Sequence, residues 1–81
     1  METRVAVMSI IIENPAAVES LNRLLHEYRE YIIGRMGIPY PKKNVNIISI
    51  AIDASPNTIS ALAGKAGNIP GIQVKTAMSG A

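Results

Sequence analysis

The sequence contains no cysteine, no tryptophan and no phenylalanine, and its only aromatic side chains are three tyrosines. Without cysteine it has no disulfide framework, no thiolate metal site and no cysteine nucleophile. The only histidine, His26, lies on the polar side of a predicted helix, and no other potential ligand has the spacing to join it in a metal site. We therefore predict no metal, no cofactor and a solvated surface position for His26.

Long runs of charge and long apolar runs are also missing. Eight Lys and Arg residues stand against six acidic residues, and no block of like charges indicates a nucleic-acid arm or a polybasic membrane patch. The apolar runs are too short to span a bilayer, and the amino-terminal segment does not have the pattern of a signal peptide. We expect a cytoplasmic protein with no direct nucleic-acid partner and no membrane partner.

The 81 residues are 48% hydrophobic, which is typical of a folded chain and not of a disordered one. A chain of this length makes one domain, covering residues 1–81, with a core built from Ile, Val, Leu, Met and Ala. Because so short a chain buries only a modest core, association with a partner would add useful stability.

Hydrophobic periodicity divides the chain into four strands and two helices. The strands are predicted over 4–13, 31–36, 45–53 and 69–78, the helices over 15–28 and 56–66, and a loop over 37–44. Asn14 and Ser55, each followed by proline, are predicted helix caps. Gly34 indicates a bulge in the second strand, and Gly67 is predicted to end the second helix in a left-handed conformation.

The two halves of the chain repeat one design. With Val5 placed over Val45, an offset of 40 residues, the strand and the proline that follows it align in both halves. Each half, about 3–40 and 41–79, reads strand–helix–strand. The predicted fold is therefore an α+β ferredoxin-like βαββαβ two-layer sandwich. Right-handed crossovers place both helices on one face of an antiparallel sheet of order 4-1-3-2.

In the first and third strands the odd-numbered and the even-numbered residues are both apolar, so both faces of these strands are apolar. The two helices can cover only one face of the sheet. If Met8, Ile10 and Ile12 face the helices together with Ile48, Ile50 and Ile52, the uncovered face carries Val5, Val7, Ile11, Val45, Ile47 and Ala51. The reversed register would leave that face more apolar still. We expect this face to be buried in a symmetric homo-oligomer, a dimer at least. The alternative is that a loop or the carboxy-terminal tail covers it.

Two groups of polar residues are candidate sites, and each also has a simpler structural explanation. Glu13 and Asp53 end the two central strands and could form an acid–base pair, but acidic residues before a helix also suit its positive end. Glycines flank Arg35, and Tyr40, Lys42 and Lys43 follow it. These four residues are the candidate site for a small anionic ligand. Turn chemistry and solubility are the alternative explanation of the same segment.

Several protein classes share this topology, and this sequence lacks the residues that their functions require. An RNA-recognition module needs stacking aromatic side chains on its central strands, and these strands have none. A metallochaperone of this shape needs a cysteine pair, and an acylphosphatase-like enzyme needs an anion-binding loop where this chain is acidic. We predict no catalytic residues, and a regulatory or assembly module in place of an enzyme.

Three segments carry a family resemblance: LLHEY at 24–28, IIGRMGIPY at 32–40 and GKAGNIPGIQVKTAMS at 64–79. They resemble a small bacterial family of iron-only hydrogenase system regulators, similar in fold to ACT domains and to the carboxy-terminal domain of the nickel-responsive repressor. The resemblance implies an oligomer that binds a small effector between subunits. Nickel binding does not carry over, because the repressor's His and Cys ligands are missing, and no ribbon–helix–helix DNA-binding segment fits into this chain.

Together these observations predict an oligomeric small-ligand-binding regulatory module, linked by the resemblance to iron-only hydrogenase expression or maturation. The ligand is expected between subunits near Arg35, Tyr40, Lys42 and Lys43. The alternative is a protein–protein interaction or assembly subunit that binds no ligand.

Overall fold

The computed structural model describes residues 2–80, which form one four-stranded antiparallel sheet and two α-helices. The elements in order are β1 (Arg4–Ile12), α1 (Ala17–Glu27), β2 (Ile32–Tyr40), β3 (Val45–Ala54), α2 (Pro56–Gly67) and β4 (Ile72–Met78). The sheet order is β2-β3-β1-β4, the predicted order read from the other edge. This confirms the ferredoxin-like α+β fold. Within residues 2–80, neither helix has the length and apolar character needed to cross a membrane.

The core lies between the two helices and one face of the sheet. Alternate residues of the central strands point into it, and all are buried: Ala6, Met8, Ile10 and Ile12 from β1, and Ile48, Ile50, Ile52 and Ala54 from β3. Buried helix residues pack against them: Ala17, Leu21, Leu24 and Leu25 from α1, and Ile59, Leu62 and Ala66 from α2. Of the two registers compatible with the sequence, the structure therefore has the one that buries Met8 and Ile50.

The opposite side of the sheet, which we call the outer sheet face, is not covered by either helix. Val5, Val7 and Ile11 are each more than 40% exposed there. The strand register places Val7 opposite Ala51 and Ile11 opposite Ile47, and β2 adds apolar side chains at the same side. The six residues predicted for this face, Val5, Val7, Ile11, Val45, Ile47 and Ala51, all lie on it as exposed or half-buried side chains.

Strand β2 is longer than the sequence predicted. We expected a strand over 31–36 and a loop over 37–44, but pairing with β3 continues until Tyr40 lies opposite Val45. The prediction was wrong because it took the two prolines, the glycine and the two lysines of this segment as loop residues. Strand β2 is an edge strand, and an edge strand tolerates the missing N–H donor of Pro39. The predicted irregularity is confirmed, since the register shifts between Ile32 and Gly34.

Two predicted helix ends also differ. Gly67 is the last residue of α2 and does not adopt a left-handed conformation; the left-handed glycine is Gly71, with φ of 83°, just before β4. Asn14 is not the N-cap of α1, which is Ala16. Instead, the Asn14 side chain accepts a hydrogen bond from the Ala16 N–H at 3.1 Å. Asn14 and Pro15 therefore form a turn that precedes the helix.

The predicted cap of α2 is confirmed, and it gives a testable stability effect. The Ser55 Oγ accepts a hydrogen bond from the Thr58 backbone N–H at 3.2 Å. Replacing Ser55 with alanine leaves this donor without its partner, so we expect the free energy of unfolding to fall by about 1 kcal/mol. Urea denaturation followed by circular dichroism measures the change. Ser60→Ala, at an exposed position of the same helix, is the control and should not destabilise the protein.

Candidate functional site

The structure separates the four predicted ligand residues. Arg35 lies opposite Ile50, whose side chain is in the core, so Arg35 is on the helix side of the sheet. Tyr40 lies opposite Val45, on the outer sheet face, and about 16 Å farther along β2 at the usual strand rise. Lys42 and Lys43 are in the short 3₁₀ turn beyond it. Because residues 37–44 were interpreted as a loop, the alternation of the strand was not continued from Arg35 to Tyr40.

A groove runs along the helix side of β2, between this strand and α1. Its larger part is a cavity of about 270 Å³, and a neighbouring cavity of about 250 Å³ shares Asn22 and Arg35 with it. We call the two together the α1–β2 groove. The larger cavity is lined by Asn22, Leu25, His26, Arg29, Ile32 and Arg35. The groove is thus apolar at its base and cationic at its rim.

Both arginines of the groove are held by neutral oxygen atoms. Arg35 Nη2 donates to Asn22 Oδ1 at 3.0 Å, and Arg29 Nη1 donates to the backbone carbonyl of His26 at 2.8 Å. The one ion pair within residues 2–80 joins Arg23 to Glu19 elsewhere on α1. Within residues 2–80, neither groove guanidinium has a carboxylate within ion-pair distance, so no ion pair compensates its charge and most of its N–H donors are available to another partner.

Two features of the sequence form this groove, one on α1 and one on β2. Asn22 and His26 are four residues apart and therefore lie on the same side of α1. Opposite them, Gly37 is on the helix side of β2, where an added Cβ would meet no atom within 4 Å. The sequence predicted a solvated surface position for His26, which is correct for its exposure. It predicted the strand that carries Arg35 at an edge of the sheet, but not its distance from α1.

The outer sheet face is a second candidate site. Its exposed large apolar side chains are Val5, Val7, Ile11, Met36, Ile38 and Tyr40. At Gly34 the face has a shallow depression of about 340 Å³, bordered by Val7, Met36 and Ala51. The Ser79 backbone N–H donates to the Val5 carbonyl at 2.8 Å, so the described part of the carboxy-terminal tail continues beside β1 and does not fold over this face.

The two carboxylates considered for acid–base work lie at opposite ends of the sheet. Strands β1 and β3 are antiparallel, so Glu13 follows the end of β1 while Asp53 lies opposite Val5 near its beginning. Glu13 accepts a hydrogen bond from Gln73 Nε2 at 2.8 Å. In the part of the chain that the structure describes, no three His, Cys, Asp or Glu side chains are grouped so that they could hold a metal ion. The two carboxylates cannot act on one substrate atom.

One displaced pKa belongs to a lysine outside the groove. Lys65 Nζ, on α2, donates to Tyr28 Oη at 3.0 Å. This hydrogen bond, together with the electrostatic contribution of Tyr28, raises the pKa of Lys65. Lys65 is exposed, so the contact joins the ends of the two helices at the surface and does not alter the groove.

Comparison with known proteins identifies a family. Residues 4–76 match the model of the TM1266-like family, described as "Iron-only hydrogenase system regulator, putative". The structure of the uncharacterized protein TM1266 from Thermotoga maritima superposes with a TM-score of 0.91 at 36% sequence identity, over 95% of this chain and 98% of that one. No curated protein matches the chain.

More distant structures share the fold alone. The carboxy-terminal domain of the MgtC protein from Mycobacterium tuberculosis has a TM-score of 0.75 at 12% identity, covering 94% of this chain and 87% of that chain. A de novo designed protein, Foldit4, has a TM-score of 0.62 at 14% identity and is covered over 99% of both chains. At such identities the similarity carries no information about ligands or partners.

Proposed function

Since the chain belongs to the TM1266-like family of iron-only hydrogenase system regulators, we propose that it is a non-enzymatic regulatory module that works as a homo-oligomer and binds a small anionic ligand. Its regulatory target is the expression or maturation of an iron-only hydrogenase. The observation that carries this proposal is the outer sheet face, on which Val5, Val7 and Ile11 are exposed at the centre of the sheet.

A second copy of the chain is the occupant that best fits this face. Four strands at the usual spacing and a length of nine residues give a footprint of roughly 570 Å² per subunit, so a face-to-face pair approaches the size of a small specific interface. The centre of the face is apolar or neutral, with Ser9 opposite Ser49. Lys75 and Asp53 contribute charge only toward its margins. Two-fold symmetry places the centre of the face against its own copy, and a neutral centre allows this without repulsion between like charges.

Strand β2 supplies a physical connection between ligand and oligomer. Successive side chains of a strand point to opposite faces, so Arg35 borders the α1–β2 groove while Met36 lies on the outer sheet face. Beyond Ile32 every residue of β2 is exposed. An edge strand with so little burial is displaced at low energetic cost. A ligand held by Arg35 would therefore bias the position of Met36, and with it the pairing of subunits.

The oligomeric state tests the proposal directly. Size-exclusion chromatography with light scattering should give a mass of at least twice the 8.7 kDa chain. A monomer at micromolar concentration would contradict the proposal. A one-to-one complex with a different protein, together with no thermal shift from any small anion, would instead favour the interaction-subunit alternative.

Two glycines of β2 offer a matched pair of variants. Gly34 lies on the outer sheet face and Gly37 on the helix side, and an added Cβ at either would meet no atom within 4 Å. Gly34→Val fills the depression without a clash inside the subunit, so we expect self-association to weaken by roughly tenfold or more. Sedimentation equilibrium measures the change. Gly37→Val should associate like the wild type, and equal behaviour of the two variants would contradict the proposed interface.

A further inference from the structure

The α1–β2 groove combines a fixed cationic rim with an apolar base inside a single subunit. We propose that this groove is the ligand site, and that it takes a small organic oxyanion: one carboxylate or phosphate group joined to a short apolar body. The inference rests on the proposed function and supplies the chemistry of its ligand. It places the site on the opposite side of the sheet from Tyr40.

The rim is suited to the charged group of such a ligand. Arg35 uses one N–H on Asn22 Oδ1, and Arg29 uses one on the His26 carbonyl. A guanidinium carries five N–H donors in a planar fork, so each can still bind a carboxylate or phosphate with two parallel hydrogen bonds. Because the Asn22 oxygen already accepts from Arg35, its amide NH₂ remains available as a further donor beside the same anion.

The two arginines are not equivalent. Glu27 and Glu30 line a separate cleft together with Arg29, so their negative charge lowers the positive potential around this guanidinium. Arg35 borders both cavities of the groove and has no acidic residue among the lining side chains of either. We therefore assign the larger share of anion binding to Arg35.

The base of the groove is suited to the apolar body. Leu25 is buried in the core, and Ile32 packs against that core as a half-buried side chain. Both line the larger cavity. At about 270 Å³ this cavity is smaller than sites for drug-sized ligands, which start at roughly 300 Å³. It fits a ligand of the size of a branched-chain acid.

Nuclear magnetic resonance on the ¹⁵N-labelled full chain tests the site and the ligand class together. The probes are 4-methylpentanoate and butyl phosphate, compared with acetate and inorganic phosphate, at low ionic strength. We expect saturable shifts at the amides around Asn22, His26 and Arg35. The probe with an apolar body should bind at least about tenfold tighter than its matched anion without one. The better of the two head groups identifies the ligand as a carboxylate or a phosphate.

Substitutions make the test specific. Arg35→Ala should weaken binding by at least about tenfold, and Arg29→Ala by less. Arg23→Ala, on the same helix but paired with Glu19, is the control and should bind like the wild type. Shifts centred on Lys42 and Lys43, no saturable binding of any probe, or unchanged binding by Arg35→Ala would overturn the inference. In each of these cases a protein that remains oligomeric, and shows a thermal shift with another anion, would leave the proposed function standing.

Discussion

Replacing Val7 with lysine is expected to convert the proposed oligomer into folded monomers. Val7 is 42% exposed in the single subunit, at the centre of the outer sheet face. In the monomer a lysine there can lay its aliphatic stem over the neighbouring strand and keep its ammonium group in water. In a face-to-face oligomer the same ammonium group is buried without a partner, which costs several kcal/mol, and two-fold symmetry buries a second copy. The dissociation constant should therefore rise by roughly a thousandfold or more.

Met78→Lys is the matched control for this variant. Met78 is also an exposed apolar strand residue, at 37%, but it lies opposite Ala6 and therefore on the helix side of the sheet. Light scattering should find Met78→Lys oligomeric and Val7→Lys monomeric, and circular dichroism should show both to be folded. If Val7→Lys has the mass of the wild-type oligomer, the subunits do not associate through the outer sheet face.

The sequence was sufficient for the fold because the central strands leave little freedom. A one-residue slip of a strand exchanges its two faces, and burying Met8, Ile10 and Ile12 against the helices leaves the smaller residues Val5 and Val7 outside. The repeat then fixes the order of the elements. The edge strand β2 was harder to predict, because its residues beyond Ile32 are exposed on both sides. Met36, Ile38 and Tyr40 do alternate with less apolar residues, but the glycine and the prolines of this segment led to its interpretation as a loop.

The candidate site was only partly predictable, for a related reason. Arg35 was predicted as a ligand residue because glycines flank it and two lysines follow it, and in the structure it borders the α1–β2 groove. Its neighbours in the groove, Asn22, His26 and Arg29, come from α1 and the turn after it, 6 to 13 positions earlier in the sequence. Polar residues on the exposed side of an amphipathic helix are expected in any two-layer fold. Only the spacing between α1 and β2 distinguishes a groove from a solvated helix surface, and this spacing is a tertiary property.

The two halves of the repeat also diverge where the groove lies. In the first half, β2 is an exposed edge strand, and Gly37 on its helix side leaves space beside α1. In the second half, the equivalent strand β4 places Ile72 and Val74 on the core side, and these side chains close the corresponding space beside α2. The α1–β2 groove therefore belongs to the first half of the repeat. Arg35 and Gly37 lie on the helix side of β2, whereas branched apolar residues lie there in β4.

Replacing Gly71 with alanine is expected to destabilise the fold more than any other glycine substitution in the chain. Residues 69–72 form a turn, in which the Ile72 N–H donates to the Ile69 carbonyl at 3.3 Å. Gly71 is the third residue of this turn and has a φ of 83°. This is the conformation of a type II turn with proline second and glycine third. A Cβ at Gly71 would also lie 2.5 Å from the Asn14 Cβ. The backbone strain and the clash together should lower the free energy of unfolding by roughly 3 kcal/mol.

The clash falls on a junction that holds the first and last strands together. The Gly71 carbonyl accepts a hydrogen bond from the Glu13 N–H at 2.7 Å, so a shift that relieves the clash also lengthens this bond. In a domain of this size the expected loss corresponds to a decrease of more than about 10 °C in melting temperature, measured by calorimetry. Gly64→Ala, in the exposed middle of α2 with no atom within 4 Å of the added Cβ, should instead stabilise the protein by about 1 kcal/mol. The prediction requires the melting temperature to fall for Gly71→Ala and to rise for Gly64→Ala. A general intolerance of added methyl groups would instead lower both melting temperatures.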